Sequence, residues 1–234
     1  MIIRGNIPQY MADLKAWLAE TEETKLEDMA GFFRVRLGDY EEHMAQWHEA
    51  YVEMERRLPQ TAQTVLDLGC GTGLELDAIL SKRPHLCVTG VDLCPEMLQK
   101  LQNKHPQVRT ICADYFAHEL GENQYDAVIN VETLHHFTPE KKAALYGKIR
   151  RALKPGGVYL QAEYVACCEE EETLLWETFR RKRERDGIAQ DAFVHFDAPL
   201  TLERELALLR GAGLKNAHAP CCIAGACFLT ACKG

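Results

Sequence analysis

The sequence predicts an α/β fold in which helices cover both faces of a mostly parallel sheet. From Thr64 onward, short apolar segments alternate with segments of helical periodicity, as expected for strands that alternate with helices. The first apolar segment, at residues 64–68, runs directly into the glycine-rich residues 69–73, and a helical pattern follows. A strand, a tight glycine turn and a helix in this order form the first unit of a sheet that holds a nucleotide-like cofactor.

Residues 1–58 precede the sheet and are predicted to form a separate helical segment. Pro8 suits the first turn of one helix, which carries an apolar stripe at positions 11, 14, 17 and 18. A second helix is predicted from about Asp39 to Leu58, because apolar residues recur there at spacings of three and four. Residues 31–38 contain two glycines and are predicted to form a loop or a broken helix.

The alternating part of the chain is predicted to form five strands and three helices. Pro95 and Pro139 suit first helical positions, and Thr138 is a good N-cap for the helix that follows it. The predicted strands lie near residues 64–68, 87–92, 108–112, 126–131 and 157–164, and the predicted helices near residues 73–82, 95–104 and 139–153.

The remainder of the chain departs from simple alternation, and we predict a helical insertion at about residues 165–200. Its helix covers residues 169–186, with acidic residues at the start and basic residues near the end, as the helix dipole favours. A loop follows at residues 189–199, and Thr201 caps another helix that ends at residues 211–213. Two last strands are predicted near residues 215–222 and 226–232.

The composition of the chain limits its partners and its compartment. Its 234 residues fit one large domain, and a formal net charge of -8 argues against a general nucleic-acid binder. No apolar stretch approaches the roughly 20 residues of a membrane helix, and the N-terminus lacks a signal peptide. Ten cysteines in such a chain predict reduced cytoplasmic thiols, and without any Cys-x-x-Cys spacing we expect no metal site.

The glycine turn and two acidic residues predict the kind of cofactor. The turn has the spacing Gly-x-Gly-x-Gly, whereas a dinucleotide site has its third glycine one residue later, where this chain has Leu74. Asp67 precedes the first glycine, and an acid there suits a cationic ammonium better than a phosphate. Asp92 lies 19 residues after Gly73 at the end of the second strand, where a carboxylate accepts hydrogen bonds from ribose hydroxyls.

Five segments in order carry a resemblance to a known family. Residues 67–73 (Asp-Leu-Gly-Cys-Gly-Thr-Gly) resemble motif I of the class I S-adenosylmethionine (SAM) dependent methyltransferases. The further matches are residues 89–93, 113–115, 125–129 with 134–137, and 153–157, so that the resemblance covers roughly residues 45–234. It implies a Rossmann-like, doubly wound fold with a seven-stranded, mostly parallel sheet and a terminal antiparallel hairpin. Residues 59–234 would form this SAM-binding domain, and residues 1–58 a helical lid.

The resemblance also implies which residues bind SAM, with S-adenosylhomocysteine as the product. Leu93 would pack beside the adenine, and Asp114 would accept a hydrogen bond from its amino group. Asn130 and Glu132 end the fourth strand, close to the expected place of the methionine portion. The complete set of cofactor-binding residues is Asp67, Gly69, Cys70, Gly71, Asp92, Leu93, Met97, Asp114, Tyr115, Asn130 and Glu132.

Catalysis by such a site depends first on positioning, because the sulfonium makes the methyl group of SAM reactive by itself. A general base is optional, and the candidates are His135, His136 and Glu163. The alternative is that the two histidines shape the pocket and that Glu163 is an ordinary carboxylate at the end of a strand. The residues predicted to contact the acceptor are Tyr40, His43, Tyr164 and His195.

We therefore predict a cytoplasmic methyltransferase that acts on a small molecule, and the sequence leaves open a homodimer. The basic run at residues 180–185 either forms a solvated helix face, paired with acids along its own helix, or contacts RNA. The alternatives in function are a tRNA or protein methyltransferase and a SAM-binding regulator without catalysis. An enzyme that uses a modified SAM would need an additional arginine near the methyl group.

Overall fold

The structure, a computed structural model, describes residues 6–189, 191–223 and 225–234, and strands make up its centre. The strands are β1 (Glu27–Asp28), β2 (Thr64–Leu68), β3 (Cys87–Asp92), β4 (Arg109–Cys112), β5 (Tyr125–Val131), β6 (Leu153–Glu163), β7 (Val194–His195), β8 (Lys215–Ile223) and β9 (Ala226–Cys232).

Nine helices accompany these strands in the described part of the chain. They are α1 (Ile7–Glu20), α2 (Met29–Arg36), α3 (Tyr40–Met44), α4 (His48–Arg57), α5 (Leu74–Lys82), α6 (Pro95–Lys104), α7 (Pro139–Ala152), α8 (Glu169–Arg185) and α9 (Leu202–Gly211). Two 3₁₀ turns, at Ala45–Trp47 and Leu134–His136, connect elements around the site described below.

Seven strands form one sheet in the order β4-β3-β2-β5-β6-β9-β8. Strands β2 to β6 are mutually parallel, and β9 lies antiparallel to both β6 and β8. The strand order reverses between β2 and β5, and ligands bind at such switch points, outside the carboxyl ends of the strands. The predicted seven-stranded, mostly parallel sheet with its terminal antiparallel hairpin is confirmed.

Both faces of the sheet are buried, because successive side chains of its central strands point in opposite directions. Leu66 and Val128 belong to an apolar cluster that includes residues of α7 and α9. Val65 and Ile129 belong to a second cluster, on the opposite face, that includes residues of α4, α5 and α6. The continuous apolar runs of β2 and β5 therefore follow from coverage by helices on both sides.

The N-terminal segment is helical as predicted, but it is more broken than its periodicity suggests. The second predicted helix divides into α3, a 3₁₀ turn and α4. The stretch predicted as a loop or broken helix contains α2, whose N-cap Asp28 accepts a hydrogen bond from the backbone N–H of Gly31. Glu27 and Asp28 pair with His195 and Val194 in a small antiparallel sheet that the sequence did not predict. This pairing attaches the N-terminal segment to the insertion.

The expectation that the cysteines are all reduced is wrong for one pair. Cys222 and Cys227 lie opposite each other on β8 and β9, with their Cα atoms 4.0 Å apart, and form a disulfide. Facing positions on two antiparallel strands bring the two sulfur atoms within bonding distance. The other eight cysteines are free, and Cys87 and Cys112 among them are exposed.

The basic run on α8 contacts the residues that follow α1, which the sequence did not predict. Arg181 forms an ion pair with Glu22, and the ammonium of Lys182 donates hydrogen bonds to three backbone carbonyls at residues 21–24. Arg185 donates to the carbonyl of Thr24 and pairs with Asp186. These contacts fix the C-terminal end of α1 on the insertion.

Two further findings concern the surface and the core. Within the described residues, no helix combines the length and the apolar composition needed to cross a bilayer. Between α7 and α9, Lys142 and Glu205 form an ion pair in which both side chains are fully buried. The hydroxyl of Tyr146 donates a second hydrogen bond to Glu205, at 2.9 Å.

We expect Glu205→Ala to lower the free energy of unfolding by about 3–5 kcal/mol, because it leaves the buried ammonium of Lys142 unpaired. Replacing both partners by apolar side chains, Lys142→Met with Glu205→Leu, should recover most of the loss. Urea unfolding measures both effects. Glu170→Ala is the control, since Glu170 pairs with Lys15 at the surface, and it should cost less than about 1 kcal/mol. An equal cost for the two single variants would contradict the expectation.

Candidate active site

One cavity of about 760 Å³ opens at the carboxyl ends of the parallel strands. A cavity of this volume is within the usual range for small-molecule and cofactor sites, roughly 300–1,000 Å³. One end is lined by the glycine turn after β2 and by residues that follow β3, β4 and β5. The other end is lined by aromatic side chains of α2, of the loop after β5 and of the insertion.

The glycine turn takes a backbone conformation that only glycine adopts readily. Gly69 has a φ of 76°, and a Cβ at this position would lie 2.5 Å from the Cγ2 of Thr133. Its N–H donates a hydrogen bond of 2.8 Å to the carbonyl of Val91, which joins the turn to β3. Gly69 and Gly71 line the cavity, as predicted.

Asp92 ends β3 and holds the glycine turn in place. Its carboxylate accepts hydrogen bonds from the backbone N–H of Gly71, at 2.9 Å, and of Cys94, at 2.8 Å. Burial raises the pKa of Asp92 above its usual value, although these bonds oppose the shift. A carboxylate offers about four acceptor sites, so that two remain for a ligand in the cavity that Asp92 lines.

Four more predicted cofactor residues surround the same end of the cavity, namely Leu93, Met97, Asp114 and Tyr115. Leu93 and Met97 present apolar surface, and Tyr115 is buried with only 8% of its surface exposed. The carboxylate of Asp114 accepts a hydrogen bond of 2.8 Å from the N–H of Phe116, which fixes its position after β4. The structure thus brings the segments that follow β3 and β4 to one wall.

Asp67 is not in the cavity wall formed by the described residues, contrary to the expectation of direct contact. It lies beneath the turn with 1% of its surface exposed, close to the carboxyl group of Glu75 on α5. Burial and the neighbouring acid raise the pKa of Asp67 well above its usual value, and burial raises the pKa of Glu75 too. The pair therefore retains a proton over part of the pH range and ionises most readily beside a cation.

The side chains of Cys70 and Asn130 were also predicted to contact the cofactor, and the structure corrects both predictions. Cys70 packs beneath the turn against Gly90, where a Cβ would lie 2.6 Å from its sulfur. The amide of Asn130 donates hydrogen bonds to the carbonyl of Leu68, at 2.7 Å, and to the hydroxyl of Thr133. Cys70 and Asn130 are both buried. They support the turn from below, whereas the sequence placed them beside the ligand.

Glu132, Tyr40 and His43 also line the cavity. Glu132 has a left-handed backbone conformation, with a φ of 49°, that points the chain away from β5. Burial raises the pKa of Glu132 to about 8. Burial also raises the pKa of Tyr40 far above its usual value, and the nearby carboxylates of Glu75 and Asp92 add to the shift. Both groups are therefore neutral near pH 7 in the free protein.

Aromatic side chains line the acceptor end of the cavity. His195 stacks on Phe32 with ring centroids 3.5 Å apart, and Phe33 meets His195 edge to face. Phe137 meets Phe193 edge to face at 5.4 Å. Phe116 completes the group and contacts both Phe137 and Phe193. His195 lines the cavity, and burial lowers its pKa to about 4, so its ring is uncharged at neutral pH.

His135 lies between two carboxylates at the same end. Its Nδ1 donates to Glu163, and its Nε2 is 3.5 Å from an oxygen of Asp197. Burial opposes a charge on the ring, but the two carboxylates raise the pKa of His135 well above its usual value. Its ring is therefore protonated at neutral pH and is a poor general base.

Glu163 does not face the acceptor, and the expectation of a catalytic carboxylate is wrong in that respect. Its side chain is fully buried at the end of β6. One oxygen accepts from the N–H of Leu134, at 2.8 Å, and from the amide of Gln161, at 3.2 Å. The other oxygen accepts from His135. Glu163 therefore fixes the orientation of the His135 ring.

His136 follows directly and differs from its neighbour in charge. Its Nδ1 lies 3.1 Å from the carbonyl oxygen of Phe196 and 3.3 Å from the carboxylate of Asp197. Burial and the charge of His135 lower the pKa of His136 to about 3. Its ring is uncharged at neutral pH and lines the cavity.

Tyr164 lines the cavity as predicted, and its hydroxyl takes part in a shared contact. The carboxylate of Glu171 on α8 accepts hydrogen bonds of 2.5 Å from the hydroxyls of both Tyr164 and Tyr10. Tyr10 belongs to α1, so that this contact joins the N-terminal segment, the insertion and the cavity wall.

Sequence reasoning missed Glu75, Asp197 and most of the aromatic wall. Asp197 lies 62 residues after His135 in the sequence. No local pattern indicates their contact, because only the fold brings the two segments together. A signal did exist for Glu75, which lies in the first turn of α5 directly after the glycines, where acidic residues are favoured.

The comparisons with known proteins agree with this geometry. A family model described as a methyltransferase domain matches residues 65–157. A carboxy-S-adenosyl-L-methionine synthase of Campylobacter concisus is 32% identical over 171 residues, which cover 68% of this chain and 72% of that protein. A malonyl-[acyl-carrier protein] O-methyltransferase of Acetivibrio thermocellus is 26% identical, with 59% of this chain and 53% of that protein covered.

A solved structure shows the same fold. An O-methyltransferase family protein of Burkholderia thailandensis matches with a TM-score of 0.68 and 20% identity, over 97% of this chain and 70% of that chain. Several curated relatives are longer, and this chain spans about half of their length. From the sheet, the glycine turn and these matches together, the chain belongs to the class I SAM-dependent methyltransferases, enzymes that take their methyl group from SAM.

Proposed function

We propose that this enzyme transfers the methyl group of SAM to a small, flat aromatic acceptor. The observation that carries the proposal is a single cavity with two unlike ends. One end has the glycine turn and buried acids, and the other has stacked aromatic rings. We place the meeting point of cofactor and acceptor beside Glu132 and Tyr40, which both line this cavity.

The adenosine of SAM fits the end formed by Asp92, Leu93, Met97, Asp114 and Tyr115. Asp92 has acceptor positions left for two ribose hydroxyls, and its position is fixed by two backbone hydrogen bonds. The adenine ring would lie on apolar surface from Leu93 and Met97, and Asp114 would accept from its amino group. The close approach of the backbone at Gly69 leaves room for the remainder of the cofactor.

The charge of the cofactor end supports SAM as well. Asp67, Glu75, Asp92 and Glu132 all have raised pKa values because burial disfavours their ionised forms. A ligand with positive charge relieves this cost, and SAM carries both a sulfonium and an ammonium. After methyl transfer the sulfonium is lost, so the product is held less firmly than SAM.

The acceptor end supports an aromatic substrate. Phe32, Phe116, Phe137 and Phe193 surround a space that suits a flat ring, since aromatic side chains prefer stacked and edge-to-face contacts. His135 and Asp197 provide the polar groups in this wall. A nucleophilic hydroxyl or amine on the ring would point towards them and towards the methyl group.

The chemistry needs positioning more than proton transfer. Of the three predicted catalytic residues, His135 is protonated, Glu163 is buried, and His136 is the ring that is uncharged at neutral pH. We therefore assign the rate gain mainly to the orientation of acceptor and methyl group in a closed site.

The N-terminal segment and the insertion form the lid in this proposal. The described parts of these two segments supply Phe32, Phe33, Phe193, His195 and Asp197 to the acceptor wall. The contacts of α8 with residues 21–24 join the two segments. Since the basic run of α8 is used in these contacts, it supports a structural role over RNA binding. The enclosed aromatic wall likewise favours a small acceptor over a tRNA, a protein or a purely regulatory role. We place this activity in the cytoplasm.

A second candidate is the reaction for which the Campylobacter concisus relative is named. A carboxylated SAM would need a cation near the transferred group, and Arg36 is the one arginine among the described residues that line the cavity. Its guanidinium already donates two hydrogen bonds to Glu27, at 2.7 and 3.1 Å, and lies over the ring of Phe32. This engagement favours methyl transfer.

We expect Asp92→Ala to weaken SAM binding by about 100-fold, because the ribose loses two charge-assisted hydrogen bonds and the turn loses its anchor. Isothermal titration calorimetry with SAM and S-adenosylhomocysteine measures this. Asp13→Ala, which changes an exposed aspartate of α1, should leave binding unchanged. Full affinity in Asp92→Ala would refute the assignment of the cofactor end.

We expect SAM affinity to rise with pH above the ordinary carboxyl range of about 4 and up to about pH 7, below the range in which an α-amino group titrates. The raised pKa values of Asp67 and Glu75 mean that the free protein holds a proton that a cationic ligand expels. One released proton changes affinity by at most about tenfold per pH unit. Calorimetry at several pH values should show a weaker dependence for Asp67→Asn.

The same pair predicts a change in stability of the free protein. The folded pKa values of this pair lie above the unfolded ones, so the contribution of the pair to the unfolding free energy falls as pH rises from about 4 through the raised values. Asp67→Asn should flatten this fall in urea unfolding, with Asp13→Asn as the matched control. Identical pH profiles for Asp67→Asn and wild type, in binding and in unfolding, would contradict the role of this pair.

The acceptor class is tested with a panel of phenols, aromatic amines, aliphatic alcohols and aliphatic amines of similar size. S-adenosylhomocysteine formation should be confined to the aromatic members, with a methylated product in the mass spectrum. Phe193→Ala should raise the KM for these acceptors roughly tenfold, since it removes one aromatic contact, while the Kd of SAM stays unchanged. Turnover only with aliphatic members, or a carboxylated product, would overturn the proposal.

A further inference from the structure

His135, His136 and Asp197 form a cluster of metal-ligating side chains at the acceptor end of the cavity. Each offers one ligand atom, and the three atoms lie within 4.8 Å of one another. The two histidines share the 3₁₀ turn after β5, and Asp197 comes from the insertion 61 residues after His136. The side chain of Asp197 is half-exposed and lines the cavity, which gives the cluster access to small ligands.

Two of the three distances between the ligand atoms are close to those around a small metal ion. An oxygen of Asp197 is 3.5 Å from the Nε2 of His135 and 3.3 Å from the Nδ1 of His136. Nitrogen and oxygen ligands at about 2.0–2.1 Å from a tetrahedral zinc ion are roughly 3.3–3.4 Å apart. An ion can therefore contact all three atoms with small side-chain movements.

We propose that these three residues bind one divalent transition-metal ion, through the Nε2 of His135, the Nδ1 of His136 and a carboxylate oxygen of Asp197. Two histidines and one carboxylate are a ligand set of zinc enzymes and of iron sites that keep open positions. The open position here faces the cavity. Imidazole ligands favour zinc, iron or cobalt over magnesium and calcium, which prefer oxygen.

The position of Glu163 is the second observation that supports the site. Ligand histidines commonly donate their other ring N–H to a carboxylate, which orients the ring and increases its basicity. His135 makes this contact through its Nδ1 to Glu163, which leaves its Nε2 directed at the cluster. Glu163 is itself fixed by hydrogen bonds from Leu134 and Gln161. The cluster thus has an ordered outer layer beneath it.

Metal binding needs two proton shifts that the surroundings permit. His135 must lose the proton on its Nε2. The carboxylates of Glu163 and Asp197, which had faced the charged ring, then neutralise the charge of the metal ion. His136 must bind through the nitrogen that now faces the carbonyl of Phe196, so its proton moves to the Nε2.

The metal site would add a role in catalysis to the proposed function. Only this catalytic role rests on the proposed function, and metal binding itself does not. A hydroxyl of the acceptor would occupy the open position, where the ion lowers its pKa and the proton leaves to water. The oxygen then forms a bond to the methyl carbon as the carbon–sulfur bond breaks and sulfur keeps the electron pair. This would supply an activated nucleophile where the structure offers no good base.

The expectation of no metal site came from cysteine spacing, which concerns thiolate sites. The present ligands include adjacent histidines and an aspartate from a distant segment, for which spacing gives no sign. The eight free cysteines do matter for the experiment, because thiolates also bind zinc.

The test is calorimetric titration of chelator-treated, full-length protein with zinc chloride, together with visible spectra of the cobalt(II) form. We expect wild type to bind one equivalent, with a cobalt spectrum that lacks the near-ultraviolet charge-transfer band of thiolate ligation. His136→Ala and Asp197→Ala should each weaken binding at least tenfold. Glu163→Gln should weaken it about 10- to 100-fold through the outer layer.

His43→Ala is the matched control, because His43 lines the same cavity outside the cluster and should leave zinc binding unchanged. SAM binding by every variant verifies folding and keeps a failure of the cofactor assignment separate from a failure of the metal site. Absence of stoichiometric zinc binding in wild type, unchanged binding in His136→Ala and Asp197→Ala, or a thiolate band in the cobalt spectrum would each overturn the proposal.

Discussion

A half-buried carboxylate at the end of a strand needs hydrogen-bond donors around it, and Asp92 has them in the N–H groups of Gly71 and Cys94. One bond fixes the glycine turn after β2, and the other fixes the start of α6. The turn can approach this closely because Gly69 has a positive φ and no Cβ. The geometry of the cofactor end therefore depends on one acid and on the backbone around it.

Burial also disfavours the ionised forms of the acids at the cofactor end. Asp67 and Glu75 lie together beneath the turn, and Glu132 lies in front of it, all with raised pKa values. Such acids lower the stability of the free protein near neutral pH, since charging them in the interior is unfavourable. A cationic cofactor stabilises the ionised acids, whereas a neutral or anionic nucleotide does not. The same acids therefore favour the binding of a cationic cofactor. Stability and cofactor choice are thus coupled through the same carboxyl groups.

The acceptor end depends on contacts between segments that are distant in sequence. Glu171 joins Tyr10 to Tyr164, β1 pairs with β7, and the basic residues of α8 hold residues 21–24. The helical pattern of the N-terminal segment and the ends of α8 could be predicted from local spacing. The contacts between these segments could not be predicted. The periodicity of one segment does not indicate which distant aromatic or charged residues it will contact.

The sequence by itself determined the order of strands and helices, the glycine turn and the acids at the strand ends, because each follows from local periodicity and backbone requirements. Asp92 and Asp114 could be assigned in this way, and both line the cavity. Only the tertiary structure decided that Asp67 and Glu163 act from behind the wall, and that Asp197 faces His135 and His136. Packing between elements decides whether a carboxylate faces the cavity or the interior, and which partner shares its proton. This packing has no local signature in the sequence.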